Sequence, residues 1–292
     1  MTRTAISPRF AINTFENTLY LLPMSFSRAK AALSDSRFSE LRWVAETDST
    51  NSDVQSAMTS SEGPAAPREM VVVADHQREG RGRLGRTWEA PSGASLLMTI
   101  GTTADIPAAR RGLLLAAMST AAAEAVSDTT GVRLAIKWPN DLVSPGSGSY
   151  GGDRKVAGVL AESFALPEGG TGYAVGVGIN CNWVSIPDGL GGVAASLDTL
   201  SGAPVDREAL AAGTVLGFER RLGELVASGA ELLEEARARS ATIGSDVVVR
   251  TPEGEVRGRA VDLDGEGALL VDAGGASPER IVVGDVLKLR PT

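Results

Sequence analysis

Between positions 78 and 86 the chain reads Arg78-Glu79-Gly80-Arg81-Gly82-Arg83-Leu84-Gly85-Arg86, which places four guanidinium groups within nine residues. An arginine carries a permanent charge on a forked donor that matches phosphate and carboxylate oxygens. Glycine lets the backbone come close to a ligand and accepts positive φ angles. Such a segment suits an anion: empty, its like charges hold it loose, and an arriving anion orders it. The plainer alternative is a solvated charged turn. The whole chain carries a net charge of -8, so this cationic knot fits a small anionic ligand and not a nucleic acid, which needs a broad basic surface.

His76 is the only histidine and Cys181 the only cysteine. An internal disulfide, a Cys/His zinc site and a cluster of histidine ligands are thereby excluded, and no metal-ligand residues are assigned. A serine or cysteine hydrolase would have to use His76, which reads as structural. The chemistry is therefore expected to rest on Arg, Lys, Asp and backbone amides. Gly80 to Gly85 also satisfies G-x-G-x-x-G, but the context argues against a dinucleotide fold. His76 to Glu79 separate the loop from the preceding strand, and Trp88-Glu89-Ala90-Pro91 stands where a helix should open. The acidic residue expected at the end of the second strand has no clear candidate.

The elements that must position this loop are legible from periodicity. The continuous apolar run at 70–75 predicts a strand buried on both faces, 95–103 predicts another strand, and 41–46 a shorter one. Asp48-Ser49-Thr50-Asn51-Ser52 reads as a turn that caps a helix. Apolar residues at three- and four-residue spacing predict a long helix from 107 to about 128, and further helices at 206–227 and 229–240. Strands at 132–137, 140–144, 155–164 and 172–180 succeed one another so closely that antiparallel hairpins are expected. The turn-forming stretch 144–152 predicts a mobile loop. After residue 243, short alternating strands at 246–250, 255–262, 268–271, 280–283 and 286–289 suggest a small barrel.

At 292 residues the chain has room for one large domain and one small one. Its 43% hydrophobic and 22% charged residues are an ordinary globular mixture, and no run reaches the roughly 18 apolar residues a membrane span needs. Asn13, Glu16 and Asn17 break any signal-peptide core, so a cytoplasmic protein is expected. Residues 1–23 fit poorly with the rest of the chain. Either Met24 is the natural start, ahead of a helix-like stretch at 25–33, or the segment is a disordered tail.

The run from Gly80 to Trp88 resembles the adenylate-loop signature of biotin protein ligases. Four other blocks are similar to that family in order and character: Asp48-Ser49-Thr50-Asn51, Lys137-Trp138-Pro139-Asn140-Asp141, Lys155-Val156-Ala157-Gly158-Val159-Leu160-Ala161-Glu162, and Gly176-Val177-Gly178-Ile179-Asn180. Together they span about 48–180. The resemblance implies an α+β fold with a mixed, mostly antiparallel sheet and packed helices, like the class II synthetase-related ligases, plus a small C-terminal SH3-like β-barrel. It divides the chain into an N-terminal extension (1–40), a catalytic domain (41–241) and the barrel (242–292). The connection at 144–152 looks longer than the family's usual link.

The implied reaction has two steps. The biotin carboxylate attacks the α-phosphate of ATP to give biotinyl-AMP and pyrophosphate, and a carrier-protein lysine then attacks the mixed anhydride. The first nucleophile is already an anion, so a chain with one histidine can perform it. By the same resemblance Ser49, Thr50, Asn51 and Gln77 contact the biotin head, and Arg81, Gly82 and Arg83 close over biotin and the α-phosphate. Lys155 bridges carboxylate and phosphate as the main catalytic group, and Arg83 retains the intermediate. Arg83, Arg86, Trp88, Asn140, Lys155 and Asn180 form the ATP side.

Several roles stay open on the residues alone. Trp88 either walls the base or biotin chain or anchors the loop. Asp141 either orients or deprotonates the incoming lysine or is a turn carboxylate. Gly158 either lets the strand lie against the ligand or marks a bulge. Lys137 and Trp138 serve packing or function. The implied substrates are ATP and biotin, with Mg2+ held mainly by substrate phosphates. The implied partner is the biotin carboxyl carrier domain of acyl-CoA carboxylases, with neither DNA nor membrane, since 24–40 is too short for a helix-turn-helix domain. A lipoate protein ligase and a non-catalytic biotin- or nucleotide-binding regulator are the rival readings.

Overall fold

The computed structural model describes residues 26–60, 68–148, 152–186 and 192–288. The segment 1–23, the expected start at Met24 and the end of the 144–152 turn lie outside the described residues. A seven-stranded sheet forms the body. Its strands are β1 (Leu41–Thr47), β2 (Glu69–Gln77), β3 (Ser95–Thr102), β4 (Ala135–Lys137), β5 (Asp141–Ser144), β6 (Arg154–Ala165) and β7 (Thr171–Asn180), in the order β1-β2-β3-β7-β6-β5-β4. Only β1 and β2 run parallel, joined through α2 (Thr50–Thr59); every other pairing is antiparallel. The hairpins anticipated from adjacency are β4–β5, β5–β6 and β6–β7.

Alternation along the strands separates two faces. In β7, Tyr173, Val175, Val177 and Ile179 enter the main core, under α3 (Leu113–Thr130) and α5 (Arg207–Ala227). On the other face α2 sets Val54 and Met58 against Met70, Val72 and Ala174. The long helix begins later than expected because a 3-10 turn, Ala108–Arg110, takes up the segment after Pro107. A short helix α4 (Leu197–Ser201), which periodicity did not reveal, precedes α5, and α6 (Ala230–Ala238) comes after it. No helix among the described residues is long and apolar enough to cross a membrane.

Helix α1 (Ser27–Ala32) is only six residues long and would not persist alone in water. It is held by α5: Glu208 accepts from the Arg28 and Ala29 backbone N–H groups, each at 3.1 Å, and Arg28 pairs with Asp206 at 2.6 Å. Asp206 is itself the N-cap of α5, accepting from the N–H groups of Glu208 and Ala209. A cap of this kind is worth about 1 kcal/mol. Ala29, Leu33 and Phe38 are buried in the main core, so residues 26–40 are part of the body and not an appendage to it.

The C-terminal strands β8 (Asp246–Thr251), β9 (Gly254–Leu263), β10 (Leu269–Asp272), β11 (Glu279–Ile281) and β12 (Asp285–Lys288) form an antiparallel sheet in the order β11-β10-β9-β8-β12. Among the described residues no β11–β12 pairing closes it into a barrel; β12 pairs with β8 at the sheet edge, and its Asp285 meets Arg86 of the arginine loop. Trp138 donates its indole N–H to the Gly267 carbonyl at 3.0 Å, and Arg237 donates to Asp262 at 2.8 Å. These bonds tie the small sheet to the body and give Trp138 a packing role.

Candidate active site

One cavity of about 290 Å³ opens on the α2 face of the sheet, between the arginine loop and β12. Its floor is set by an alternation within β7. On that face β7 carries Gly172, Ala174, Gly176 and Gly178, and Gly158 of β6 stands opposite Gly178 in register. A strand with large residues on one face and almost none on the other is shaped to receive something. A Cβ at Gly178 would lie 2.6 Å from the Trp88 ring, and one at Gly176 would collide with Asn51 Oδ1. Trp88 therefore rests on bare backbone, half-buried, with the Lys155 ammonium 5.2 Å from its ring centroid. Its indole N–H is buried without a partner.

The loop is an ordered hairpin. Trp88 N–H donates to the Gly80 carbonyl at 2.8 Å and Gly82 N–H to the Arg86 carbonyl at 2.6 Å. A 3-10 turn at Arg83–Gly85 closes it, with Leu84 in the left-handed region at φ 56°. The expected mutual repulsion is relieved at three of the four arginines by a carboxylate, while Arg83 has only a neutral amide. Arg78 pairs with Asp48 at 2.7 Å, Arg81 with Glu162 at 3.0 Å and Arg86 with Asp285, while Arg83 donates to Asn140 Oδ1 at 3.3 Å. Burial is the main cause that draws the Arg83 guanidinium below its ordinary value; Asp285 and Asp141 oppose it, and Arg86 adds to it. Lys155 forms an ion pair with Asp141 at 2.7 Å.

A second group of polar side chains forms the opposite wall. Gln77 Oε1 accepts from the Thr50 N–H at 2.8 Å and from its hydroxyl at 3.0 Å. The Thr50 and Thr99 hydroxyls are 2.7 Å apart, and Thr99 donates to Asn51 Oδ1 at 2.6 Å. Asn51 in turn donates to Glu162 at 2.7 Å. Ser49 stands as the extended N-cap of α2, without the side-chain cap bond expected of it.

Ser49, Thr50, Asn51, Gln77, Arg81, Gly82, Arg83, Arg86, Trp88, Asn140, Asp141, Lys155 and Gly158 thus line one cavity, together with Lys137 and Trp138. Asn180 does not line it: it is buried at the end of β7, where its amide donates to the Ala195 carbonyl at 3.0 Å and its Oδ1 has no partner. His76 also lies outside the lining. The cavity further includes Arg250, Asp285, Val286 and Leu287 of the small sheet. Nothing in the local pattern of 246–289 distinguishes those residues from other strand residues, and only the tertiary arrangement reveals them. Among the described residues no group of three or more His, Cys, Asp or Glu side chains could hold a metal ion.

Comparison with known proteins agrees with this arrangement. The Biotin/lipoate A/B protein ligase family matches residues 44–182, and the Biotin protein ligase C terminal domain matches 242–289. The biotin--[acetyl-CoA-carboxylase] ligase of Mycobacterium tuberculosis is 35% identical over 256 residues, covering 86% of this chain and 90% of that one. The bifunctional ligase/repressor of Bacillus subtilis is 32% identical over 212 residues, covering 71% of this chain and 62% of that protein. Among solved structures, the biotin protein ligase from Aquifex aeolicus in complex with biotin and ATP superposes with a TM-score of 0.69 at 25% identity, covering 87% of this chain and 100% of that one. A relative of this identity and coverage, a matching C-terminal domain and a cavity that unites the loop arginines with Lys155 lead to one assignment: the chain belongs to the biotin protein ligase family.

Proposed function

We propose that this enzyme activates biotin with ATP to biotinyl-AMP and transfers the biotinyl group to a lysine of the biotin carboxyl carrier domain of an acyl-CoA carboxylase. The observation that carries this reading is the convergence of Lys155, Arg81, Arg83 and Arg86 on a cavity whose other wall is neutral and hydrogen-bonding. In the first step the biotin carboxylate attacks the α-phosphorus and the bond to pyrophosphate breaks. The barrier is the approach of two anions, and preorganised cations lower it by offsetting charge as the oxygens converge. Lys155, on a rigid strand beside Gly158, is placed to serve carboxylate and phosphate together. Arg81, Gly82 and Arg83 cover the intermediate, and Ser49, Thr50, Asn51 and Gln77 take the biotin head. Arg86, Trp88 and Asn140 form the nucleotide side.

In the second step the carrier amine attacks the acyl carbon, AMP leaves, and the amine loses a proton. Asp141 serves this step: once Lys155 turns to the substrate anions, the freed carboxylate draws in the arriving ammonium and can accept its proton. Asp141 and Asp285 are each paired with a cation, so Mg2+ would enter on the phosphates of ATP and not in a protein cage. We read 41–241, with 26–40 packed into its core, as the catalytic unit, 242–292 as the element that completes the cavity, and the cytoplasm as its place of work.

Biotin-dependent, lipoate-independent ATP–pyrophosphate exchange tests the assignment, followed by labelling of a carrier domain. Lys155→Ala should reduce exchange by at least 100-fold, roughly the loss of one transition-state charge contact, while the circular dichroism spectrum stays unchanged. Normal exchange in that variant refutes the role of Lys155, and lipoate-dependent exchange in the native enzyme refutes the substrate.

A further inference from the structure

The polar wall of the cavity has a proton count that does not close. Four oxygens lie in a row, Gln77 Oε1, Thr50 Oγ1, Thr99 Oγ1 and Asn51 Oδ1, with successive contacts of 3.0, 2.7 and 2.6 Å. Each hydroxyl carries one proton, so three contacts share two protons. Both ends of the row are pinned. Gln77 must present its oxygen, because the Thr50 backbone N–H points at it from 2.8 Å. Asn51 must present its oxygen to Thr99, because its amino group faces Glu162 Oε2 at 2.7 Å, and a carboxylate only accepts. Thr99 is fully buried and Thr50 and Asn51 nearly so, and an outside donor reaches the row only from the cavity, which Gln77, Thr50 and Asn51 line.

Glu162 itself lies on β6, on the same face as Gly158, and its side chain is one-third exposed. It also receives Arg81 Nη2 at 3.0 Å on the same oxygen, and Arg81 reaches Ser52 at 3.2 Å. No direct approach of Glu162 to the main cavity is needed for it to matter, since it acts on the wall through Asn51.

We propose that Glu162 is a positioning residue that fixes the Asn51 amide and so keeps this wall one proton short, setting it to receive a neutral ligand that brings N–H donors. On the reading of the protein as a biotin ligase, those donors belong to the cyclic urea of the biotin head. The ligand supplies the donor the wall lacks, so binding relieves an unfavourable contact that the free enzyme carries.

Glu162→Ala is the informative change, and Glu162→Gln is its conservative counterpart. Arg81 Nη2 donates to the same oxygen that accepts from Asn51, so Glu162→Gln keeps an acceptor there and should bind biotin within about twofold of the native enzyme. Glu162→Ala removes the acceptor, Asn51 can turn its amino group to Thr99, and the row gains its missing proton internally. Biotin affinity should therefore fall about tenfold, the size expected for one charge-assisted hydrogen-bond arrangement. ATP affinity should stay within twofold, and the melting temperature should be unchanged or higher. A purely structural role for Glu162 predicts the opposite, a lower melting temperature with both affinities reduced.

The experiment is calorimetric titration of the full chain with biotin and with ATP, for the native enzyme, Glu162→Gln and Glu162→Ala, each also in Asn51→Ala and Arg81→Ala backgrounds. The effect of Glu162→Ala should vanish with Asn51→Ala and persist with Arg81→Ala. If it vanishes only with Arg81→Ala, Glu162 acts on the loop and the proposal is wrong. If the native enzyme binds biotin and Glu162→Ala binds it equally well, or Glu162→Gln loses as much as Glu162→Ala, the proposal is also wrong. If the native enzyme does not bind biotin, the functional reading falls first.

Discussion

Gly178→Ala adds one methyl group and tests whether the bare face of β7 exists for Trp88. The new Cβ would lie 2.6 Å from Trp88 Cε2 and 2.8 Å from Cζ2 and Nε1. Contacts that short do not occur between real Cβ atoms and their neighbours, so something must move. Strand β7 cannot, because β3 and β6 pair with it along almost its whole length. Trp88 can, since it is half-buried at the end of an exposed loop. Overpacking of this kind costs about 1–3 kcal/mol. If the indole swings away, that cost falls on loop closure and on the Lys155–Trp88 contact and not on the fold. Adenylate formation should then fall about 5- to 150-fold, on the rule that 1.4 kcal/mol is tenfold.

Gly172→Ala supplies the control. Gly172 shares the strand and face of Gly178, and its added Cβ would collide with the Phe164 ring, but Phe164 packs in the α2 core away from the loop. That variant should melt lower with near-native exchange, whereas Gly178→Ala should lose exchange with a nearly native melting temperature. Pyrophosphate exchange and differential scanning calorimetry on the pair separate the two. Native exchange in Gly178→Ala, or an equal loss in both, refutes the argument that the glycines serve the loop.

Two other perturbations are set by the geometry. Arg83→Gly removes a half-buried guanidinium that is hydrogen-bonded to Asn140, and loss of a bond to a charged group, about 1.5–3 kcal/mol, should release biotinyl-AMP about 10- to 150-fold faster. An added protein without a carrier domain should then become biotinylated, and labelling confined to the carrier would show that Arg83 has another job. Cys181 is buried, and that burial pushes its thiol from 9.0 up to about 12, partly offset by a backbone hydrogen bond from Leu96. Its folded value lies above its unfolded one, so its contribution to stability is whole below about pH 9 and is lost as the pH rises towards 12. Iodoacetamide at pH 8 should leave the folded chain unmodified by mass spectrometry, and rapid alkylation would place the thiol elsewhere.

The arginine loop, the strand before it and the lysine after it were legible because they are local: a run of charges, an apolar run and a short block each carry their own signal. Thirteen of the fourteen assigned site residues line one cavity because those blocks sit at neighbouring strand ends. Asn180 shows where this reasoning stops. It stands two positions after Gly178 and so shares its face by alternation, yet the chain beyond β7 comes back and captures its amide with the Ala195 carbonyl. Glu162 sat inside a recognised block without a role, because its importance comes from Asn51, 111 residues away. Asp285 had no signal at all, since a carboxylate in a short alternating strand is ordinary until its strand is set against the loop. The alternation of glycine with Tyr173, Val175 and Val177 was available and carried the most information that went unused.

In an acidic chain with net charge -8, Lys155, Arg81 and Arg86 at this cavity are each paired with a carboxylate. Unpaired loop arginines would repel one another, and arginines locked in a dry ion pair would cost about 3–5 kcal/mol to break. The pairs at this cavity avoid both extremes. Arg86 and Asp285 are 64% and 28% exposed, and Lys155 and Asp141 are 37% and 27% exposed. Pairs this open to solvent are worth at most about 1 kcal/mol each. Phosphate oxygens that reach the cavity can displace them and gain shorter, charge-assisted bonds in a space that closure has dried. On the proposed reaction, release of Asp285 would also free the loop from β12. Arg81 differs, because its partner Glu162 is shared with Asn51 and is not surrendered without disturbing the wall. The loop is therefore tied at Arg81 to a carboxylate that the wall also needs, and at Arg86 to one that serves the loop alone.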